Sequence, residues 1–161
     1  MLSNNYKKVL VTGASSGIGE AVVRLLCNKG YEVTALARRK SKLNKLKKET
    51  GCQTVLMDIR KTNEIEKLKK IKFDIFINNA GLGRGFDKIY KTKAKDIATT
   101  IDTNVQAFLQ LLRCVVPGMV KRKKGHIINI GSIAGLYPLS SSVYGGSKGA
   151  VHLISQNLRL E

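Results

Sequence analysis

The sequence contains few of the features that characterise disulfide-rich, zinc-binding and membrane proteins. Trp is absent, aromatic residues make up 6%, and Cys and Pro number three and two in 161 residues. The cysteines, Cys27, Cys52 and Cys114, form no Cys-x-x-Cys pair, so neither a disulfide framework nor a zinc site is expected. No apolar run approaches the ~20 residues that span a bilayer, and residues 1–8 contain no apolar signal-peptide core. These absences predict a cytoplasmic protein without a membrane segment.

Acidic residues are also scarce. Lys and Arg total 29 against 11 Asp and Glu, which gives a formal net charge of +18. Such an excess suits nucleic acid, a membrane surface or a small anionic ligand. The lysines are spread along the chain, however, and no aromatic residues alternate with them to stack bases. We therefore interpret most of the charge as solvated helix faces, and only the net charge favours nucleic acid as a partner.

The sequence does contain a regular alternation of strand and helix signals. Short apolar segments at residues 7–12, 31–37, 53–57, 73–77 and 126–130 alternate with segments of helical periodicity. Strands that alternate with helices form a parallel sheet with helices on both faces. The length fits one domain at ~150 residues per domain. The sequence thus predicts an α/β fold: a single Rossmann-type, doubly wound domain over residues 1–161, with about five strands in the order 3-2-1-4-5.

Helical periodicity is clearest after the first strand and before the fifth. An apolar stripe with i, i+3, i+4 spacing predicts an amphipathic first helix whose stripe faces inward; its members are Ile18, Ala21, Val22, Leu25 and Leu26. Shorter helices are predicted over 40–50 and 62–70, and a last helix runs from about residue 140 toward Glu161. A long helix is predicted over 101–120, with Pro117 kinking or restarting it. Its side chains expected to face the core are Val105, Phe108, Leu109, Leu112, Val116 and Met119.

A glycine-rich turn, Thr12–Gly19, joins the first strand to the first helix. Its glycines, Gly13, Gly17 and Gly19, permit a tight turn and close backbone approach. The helix N-terminus that follows presents amide groups and a positive dipole to a pyrophosphate. The GxxxGxG spacing differs from the common dinucleotide-binding pattern GxGxxG. Taken alone, the turn fits a tight strand–helix connection equally well.

Further motifs follow in chain order, each placed at the end of a predicted strand or within a predicted helix. They are Asp58, Asn78-Asn79-Ala80-Gly81, Asn104, Ser132 and Tyr144-Gly145-Gly146-Ser147-Lys148. In this order, and over nearly the whole chain, the motifs resemble the short-chain dehydrogenase/reductase family. The resemblance implies hydride transfer between a nicotinamide cofactor and an alcohol or carbonyl substrate. Two segments, 78–87 and 125–135, look most like NADP-dependent dehydrogenases of small 3-hydroxy acids, including serine.

The resemblance also implies a cofactor site. The residues that match its positions are Gly13, Ser15, Gly17, Ile18, Gly19, Asp58, Asn79, Ala80 and Gly81, together with Tyr144 and Lys148. By the same resemblance, Asp58 hydrogen-bonds the adenine ring and the segment 79–81 lines the adenosine ribose.

The end of the second predicted strand bears on the choice of dinucleotide. Proteins that prefer NAD place an acidic residue there for the ribose 2′-hydroxyl, whereas this chain has Ala37, Arg38 and Arg39. A guanidinium suits a 2′-phosphate. NADP is therefore favoured over NAD, with Arg38 as the contact and Arg39 as a solvated helix start.

The catalytic residues implied by the resemblance are Asn104, Ser132, Tyr144 and Lys148. Tyr144 and Lys148 are four residues apart and share a helix face. An ammonium beside a phenol favours the phenolate, so the phenol can donate a proton to a carbonyl or accept one from an alcohol. By resemblance, Lys148 tunes Tyr144 and holds the nicotinamide ribose, Ser132 bonds the substrate oxygen, and Asn104 holds a water. Taken singly, each residue also fits a purely structural role.

No metal site is predicted, because His126 and His152 lack metal-ligand spacing. Two features depart from the family pattern. The step from Ser132 to Tyr144 is about one residue short. Gly145 and Gly146 loosen the first turn of the last helix by up to ~1 kcal/mol each.

Members of the family continue with a sixth strand, a Pro-Gly turn, a helical lid and a seventh strand. This chain ends inside its last predicted helix, so we expect a truncated member lacking the C-terminal strands. The fifth strand then forms an open edge of the sheet. On the last helix, we expect the apolar side chains of Val151, Ile154 and Leu158 to be exposed. Two hypotheses stay open: an oxidoreductase acting on a small carbonyl or alcohol, or a catalytically impaired fragment that binds a nucleotide or a partner subunit. Homo-oligomers or association with a completing chain are expected.

Overall fold

One parallel sheet lies at the centre of the computed structural model, which describes residues 6–84 and 86–161. Within those residues the strands are β1 (Lys8–Thr12), β2 (Glu32–Ala37), β3 (Gln53–Leu56), β4 (Ile75–Asn78) and β5 (His126–Asn129). They pair in the order β3-β2-β1-β4-β5, every neighbour parallel. The predicted α/β fold and strand order are confirmed.

Helices cover both faces of the sheet. They are α1 (Gly17–Asn28), α2 (Lys40–Thr50), α3 (Thr62–Ile65), α4 (Ala94–Ile101), α5 (Ala107–Lys121) and α6 (Ser142–Leu158). Short 3₁₀ turns span Glu66–Lys70, Ile89–Lys91 and Ile133–Gly135, and a π turn, Asp102–Gln106, separates α4 from α5.

Alternating side chains of the strands divide the core into two layers. On β1, Val9 and Val11 pack with α1 and α2, whereas Leu10 packs with Phe76 and Leu111 on the α5 side. All five side chains are almost fully buried. Both faces of the central strands are therefore covered, as parallel sheets require, and the polar residues that follow the strands are gathered at one end of the sheet.

The first helix is rotated relative to the prediction. Ile18, Ala21 and Leu25 are exposed, while Gly19 and Val23 are buried. The cause is the close packing of Gly19, since a β-carbon there would lie 2.5 Å from the carbonyl oxygen of Gly13. That contact turns the Gly19 face of α1 toward the sheet and leaves part of the apolar stripe in solvent.

The predicted long helix also differs. Helical structure begins at Ala94 rather than residue 101 and includes the π turn. The first part, α4, packs beside α6 rather than on the sheet. Pro117 lies inside α5, which continues to Lys121 without restarting. Leu109 is 44% exposed instead of facing the core, because it lies over the outer groove between α5 and α6.

The C-terminal residues are better covered than predicted. Val151 is buried in the core layer of α5, and Ile154 and Leu158 are half-buried against it. β5 does form one edge of the sheet. The segment 62–70 is helical as expected, although only its first turn is α-helix. Throughout the part of the chain described, no helix is long and apolar enough to cross a membrane, and no cluster of metal ligands occurs.

Candidate active site

The three glycines where β1 joins α1 are required for different steric reasons. Gly13 has φ +67°, and a β-carbon there would lie 2.9 Å from the Cα of Ala80 and from Nδ2 of Asn79. Gly19 packs against the Gly13 carbonyl as described above. Gly17 has φ +56°, and a β-carbon there would meet no heavy atom within 4 Å, so only its backbone conformation requires glycine.

Thr12 and Asn79 hold this turn to the end of β4. The Thr12 hydroxyl oxygen accepts hydrogen bonds from the backbone N–H groups of Asn79 (3.1 Å) and Ala80 (3.0 Å). The Asn79 side-chain amide donates to the Thr12 carbonyl at 2.9 Å. The Asn79 side chain thus joins two strand ends rather than lining the adjacent cavity.

A cavity of about 160 Å³ opens beside the turn. Six of the residues predicted for the cofactor site line it: Gly13, Ser15, Arg38, Asp58, Ala80 and Gly81. Gly17, Ile18 and Gly19 do not; they begin α1, and the Ile18 side chain is 60% exposed. The fold therefore brings together residues from the ends of four strands, which is where open α/β sheets bind ligands.

Three guanidinium groups, those of Arg38, Arg39 and Arg60, line the cavity. Arg39 donates from Nε and Nη2 to the Ser15 hydroxyl at 3.0 and 2.9 Å, and from Nη2 to the Ser16 hydroxyl at 2.6 Å. Arg38 lies 3.9 Å from the Asp58 carboxylate. Arg39 is exposed and directly precedes α2, as interpreted from the sequence, but it also forms part of the cavity wall. Its contact with Ser15 joins residues 24 positions apart, so no local sequence signal identifies it.

Asp58 is held by a neighbouring arginine. Its Oδ1 accepts from Arg60 Nε and backbone N–H, both at 3.1 Å, and its Oδ2 accepts from Arg60 Nη2 at 2.6 Å. The side-chain hydrogen bond from Arg60 lowers the pKa of Asp58 to about 2. Asp58 is consequently ionised at neutral pH and fixed in orientation at the cavity wall.

Lys148 is buried, with only 7% of its surface exposed. Its ammonium donates to the carbonyl of Ile130 at 3.1 Å, and burial lowers its pKa. A β-carbon on Gly81 would lie 3.4 Å from both Lys148 Nζ and Asn104 Oδ1. Lys148 itself does not line the cavity; it lies beside Gly81, which does.

Asn104 lies in the π turn, and its side chain hydrogen-bonds to two other segments of the chain. Its Oδ1 accepts from the N–H of Leu82 (2.9 Å), and its Nδ2 donates to the Leu82 carbonyl (2.8 Å) and to the Ser147 hydroxyl (3.0 Å). Ser147 in turn donates to the carbonyl of Tyr144 at 2.8 Å. Asn104 therefore connects the loop after β4 to the first turn of α6.

Ser132 and Tyr144 lie on neighbouring segments. Ser132 caps the 3₁₀ turn Ile133–Gly135, its hydroxyl accepting from the N–H of Ala134 at 3.2 Å. A β-carbon on Gly135 would lie 2.5 Å from the Lys148 carbonyl group, so this turn is seated tightly on α6. The half-buried Tyr144 ring is 5.2 Å from the ring of Phe86, a neighbour that the sequence reasoning did not identify.

Comparison with known proteins identifies the lineage of this arrangement. Residues 7–161 match the family of short chain dehydrogenases. The chain belongs to that family. The NADP-dependent 3-hydroxy acid dehydrogenase YdfG of Escherichia coli K12 is 41% identical over 162 residues, covering 95% of this chain and 65% of that protein.

Solved structures of short-chain dehydrogenases superpose closely. The closed form of serine dehydrogenase complexed with NADP⁺ has a TM-score of 0.92 at 41% identity, over 95% of this chain and 65% of that one. A short-chain dehydrogenase from Sphingobium yanoikuyae in complex with NADPH has a TM-score of 0.88 at 32% identity, over 96% and 65%. The predicted family and its likeness to 3-hydroxy acid dehydrogenases are confirmed. The chain spans about 65% of the length of these curated relatives.

Proposed function

We propose that this chain forms the NADP(H)-binding part of an oxidoreductase that exchanges hydride between a nicotinamide and a small alcohol or carbonyl. The observation that carries the proposal is the extent of one cavity. Its lining runs from the guanidinium groups of Arg38 and Arg39 to Gly81, beside the buried ammonium of Lys148. A cavity lined by arginines, with a buried lysine next to one of its lining residues, suits a phosphorylated dinucleotide.

The residues present fit such a cofactor. Gly13 adds no side chain to the turn before α1, and a pyrophosphate bound at this turn would meet the N-terminal amides of the helix. The end of β2 carries Ala37 and two arginines instead of a carboxylate. Arg39 bonds only neutral serine hydroxyls there, and exchange of these for phosphate oxygens yields stronger, charge-assisted bonds. The carboxylate of Asp58 remains available to an amino group of the base.

The chain's own residues supply position and proton transfer. When bound, the dinucleotide donates or accepts the hydride. Tyr144 would give a proton to a carbonyl oxygen or take one from an alcohol, and Lys148 would supply positive charge on the same helix face. Ser132 would bond the substrate oxygen from the turn seated on α6. Asn104 acts through its brace of Leu82 and Ser147, which orients the first turn of α6.

The relatives' names support a substrate class. A 3-hydroxy acid dehydrogenase and a serine dehydrogenase are among the similar proteins, so we propose a small 3-hydroxy acid or the corresponding keto acid. The thiols of Cys27, Cys52 and Cys114 are all free, which is compatible with a reducing cytoplasm.

Calorimetric titration with NADPH and NADH tests the cofactor assignment. We expect NADPH to bind about tenfold more tightly than NADH, because the end of β2 carries two guanidinium groups and no carboxylate. Arg39→Ala should weaken NADPH and leave NADH nearly unchanged, and Arg38→Asp should reverse the preference. Lys42→Ala, on the exposed face of α2, is the matched control for loss of one positive charge. Tighter binding of NADH by the parent chain would contradict the proposal.

A second candidate function follows from the edge of the sheet. β5 has a neighbour on one side only, and an open edge invites pairing with another strand. We propose that the chain pairs through β5 with a second copy or with a completing chain. If NADPH binds without measurable turnover, the chain acts as a nucleotide-binding unit that needs this partner for catalysis.

A further inference from the structure

The aromatic ring of Phe86 lies beside Tyr144 at the surface of the protein. The centroids of the two rings are 5.2 Å apart, and their planes are inclined at 44°. Phe86 is nevertheless 59% exposed, so its ring packs at the surface rather than in the core. Burial therefore does not explain why a large apolar side chain lies next to the tyrosine proposed to transfer the proton.

The Phe86 ring packs directly on the backbone of Gly83. A β-carbon on Gly83 would lie 2.5 Å from Cζ and 2.7 Å from Cε2 of Phe86, and 3.7 Å from Cδ2 of Tyr144. Real β-carbons do not approach other atoms as closely as 2.5 Å, so a side chain at position 83 would displace the Phe86 ring. The glycine thus permits the contact between the two aromatic rings.

The loop that carries this ring is tied to the helical segments beside it. Leu82 exchanges two hydrogen bonds with the Asn104 side chain, at 2.9 and 2.8 Å. The carbonyl of Arg84 accepts a hydrogen bond from the Thr100 hydroxyl at 3.3 Å, and the Arg84 guanidinium lies 3.7 Å from the carboxylate of Asp96. Tertiary contacts therefore fix the loop, and its aromatic ring has a defined position beside the tyrosine.

We propose that Phe86 is a specificity-determining residue whose ring forms an apolar wall for the carbon chain attached to the reacting carbon of the substrate. This inference rests on the function proposed above. Ligand sites are lined mainly by apolar and aromatic side chains, while a few polar groups fix the orientation of the ligand. A substrate whose oxygen bonds Tyr144 and Ser132 would extend this chain along the Phe86 ring. The favoured substrates are then 3-hydroxy acids that carry an alkyl group on the reacting carbon.

Two hydroxy acids that differ by one methyl group test the inference. The reacting carbon of 3-hydroxybutanoate carries a methyl group, which 3-hydroxypropanoate lacks. One methylene in an apolar pocket changes discrimination by roughly 10–200-fold. We expect calorimetry to show that the NADPH-loaded parent binds 3-hydroxybutanoate about tenfold more tightly than 3-hydroxypropanoate. The cofactor and the hydroxy acid are both reduced in this complex, so no hydride moves and the measurement does not depend on turnover.

Two variants remove the proposed wall in different ways. Phe86→Ala deletes the ring, whereas Gly83→Ala displaces it and leaves Phe86 in the chain. In both we expect the dissociation constant of 3-hydroxybutanoate to rise about 5–10-fold and that of 3-hydroxypropanoate to change less than about twofold. Phe86→Leu keeps an apolar side chain and should retain most of the preference. The midpoint of thermal unfolding and the affinity of Phe86→Ala for NADPH should stay near those of the parent, because the ring is largely exposed.

Tyr90→Ala is the matched control for loss of an exposed aromatic ring. Tyr90 is 73% exposed, and its ring centroid lies 5.9 Å from the ammonium of Lys91. We expect unaltered affinity for both hydroxy acids in this variant. An equal loss of affinity for the two acids in Phe86→Ala would overturn the role of Phe86 in specificity.

The parent protein separates failure of this inference from failure of the proposed function. A parent that binds NADPH but does not distinguish the two hydroxy acids, or binds neither, would overturn the inference and leave the cofactor assignment standing. A parent that does not bind NADPH would overturn the proposed function itself.

Discussion

Asp58 couples the site to the stability of the protein. Arg60 lowers its pKa to about 2, below the value near 3.9 of an unfolded Asp. The pair's contribution is therefore complete above about pH 4 and is lost as the pH falls through about 2.

The lowered pKa of Asp58 predicts how loss of Arg60 changes the free energy of unfolding at different pH values. Arg60→Gln should lower the free energy of unfolding by about 1–2 kcal/mol at pH 7, and its difference from the parent should shrink between pH 4 and pH 2. Urea unfolding at pH 7, 4 and 3 measures it. Lys61→Gln, the exposed neighbour, should show less than half the effect. A difference that grows as the pH falls would contradict the assignment.

Tyr144 carries the chemistry of the proposed function. Tyr144→Phe keeps the ring beside Phe86 and loses only the oxygen, so any NADPH-dependent carbonyl reduction should fall by at least ~100-fold, the usual contribution of a general acid. Affinity for NADPH should change less than twofold. The exposed Tyr137 gives a matched control, Tyr137→Phe. Retention of most turnover in Tyr144→Phe would show that another group transfers the proton.

Residues of the site divide into those that sequence could predict and those that it could not. Gly13, Asp58 and Lys148 follow strands or occupy a recognisable motif; the first two line the cavity, and Lys148 lies beside Gly81 at its wall. The contact that Arg39 makes in the site could not be assigned, because it depends on the fold. Arg39 reaches back 24 residues to Ser15.

At the scale of elements, the first turn of α6 contains two glycines with different surroundings. A β-carbon on Gly146 would meet nothing within 4 Å, whereas one on Gly145 would lie 3.1 Å from the carbonyl oxygen of Ala134. Glycine within a helix costs about 1 kcal/mol relative to alanine.

These surroundings predict opposite responses to one substitution. Gly146→Ala should raise the free energy of unfolding by about 0.5–1 kcal/mol. Gly145→Ala should gain less or lose, because the turn that carries Ser132 must move away from α6. Denaturant unfolding of the two variants makes the comparison, with each as the other's control. Equal stabilisation by both substitutions would mean that the turn Ile133–Gly135 can move away from α6 without an energetic cost.

Element boundaries were predictable where local signals agreed. The helix over 40–50 is observed as Lys40–Thr50, and Gly51 ends it with φ +73°. The rotation of α1 was not predictable, because the contact of Gly19 with Gly13 outweighs the burial of a few apolar side chains. α4 was not predicted because its eight residues contain only two large apolar side chains, too few for a clear helical period.

At the scale of the whole molecule, one edge of the sheet and the net charge have opposite effects on self-association. β5 is an edge strand whose Ile128 is 36% exposed, and this edge favours association. The charge of +18 favours separation, but salt screens it within about 8 Å at physiological ionic strength.

We therefore predict self-association that increases with salt. Sedimentation at low and at high NaCl concentration should show a larger oligomer fraction at the higher concentration. Ile128→Lys should reduce it, because a charge on an edge strand opposes pairing. Leu25→Lys, at an exposed position of α1, should leave it unaltered apart from the added charge. A monomer under both conditions would contradict the role of β5.

The clamp between Thr12 and Asn79 has a consequence for the speed of recognition. It holds the glycine turn in shape through bonds formed during folding, before any anion arrives. The conformational entropy of that turn is therefore lost during folding and not when a ligand binds. Under the proposed function, capture of a phosphate would then need only the exchange of solvent and of the serine hydroxyls on Arg39. We therefore expect diffusional encounter, assisted by the positive field of the protein, to limit the rate of binding.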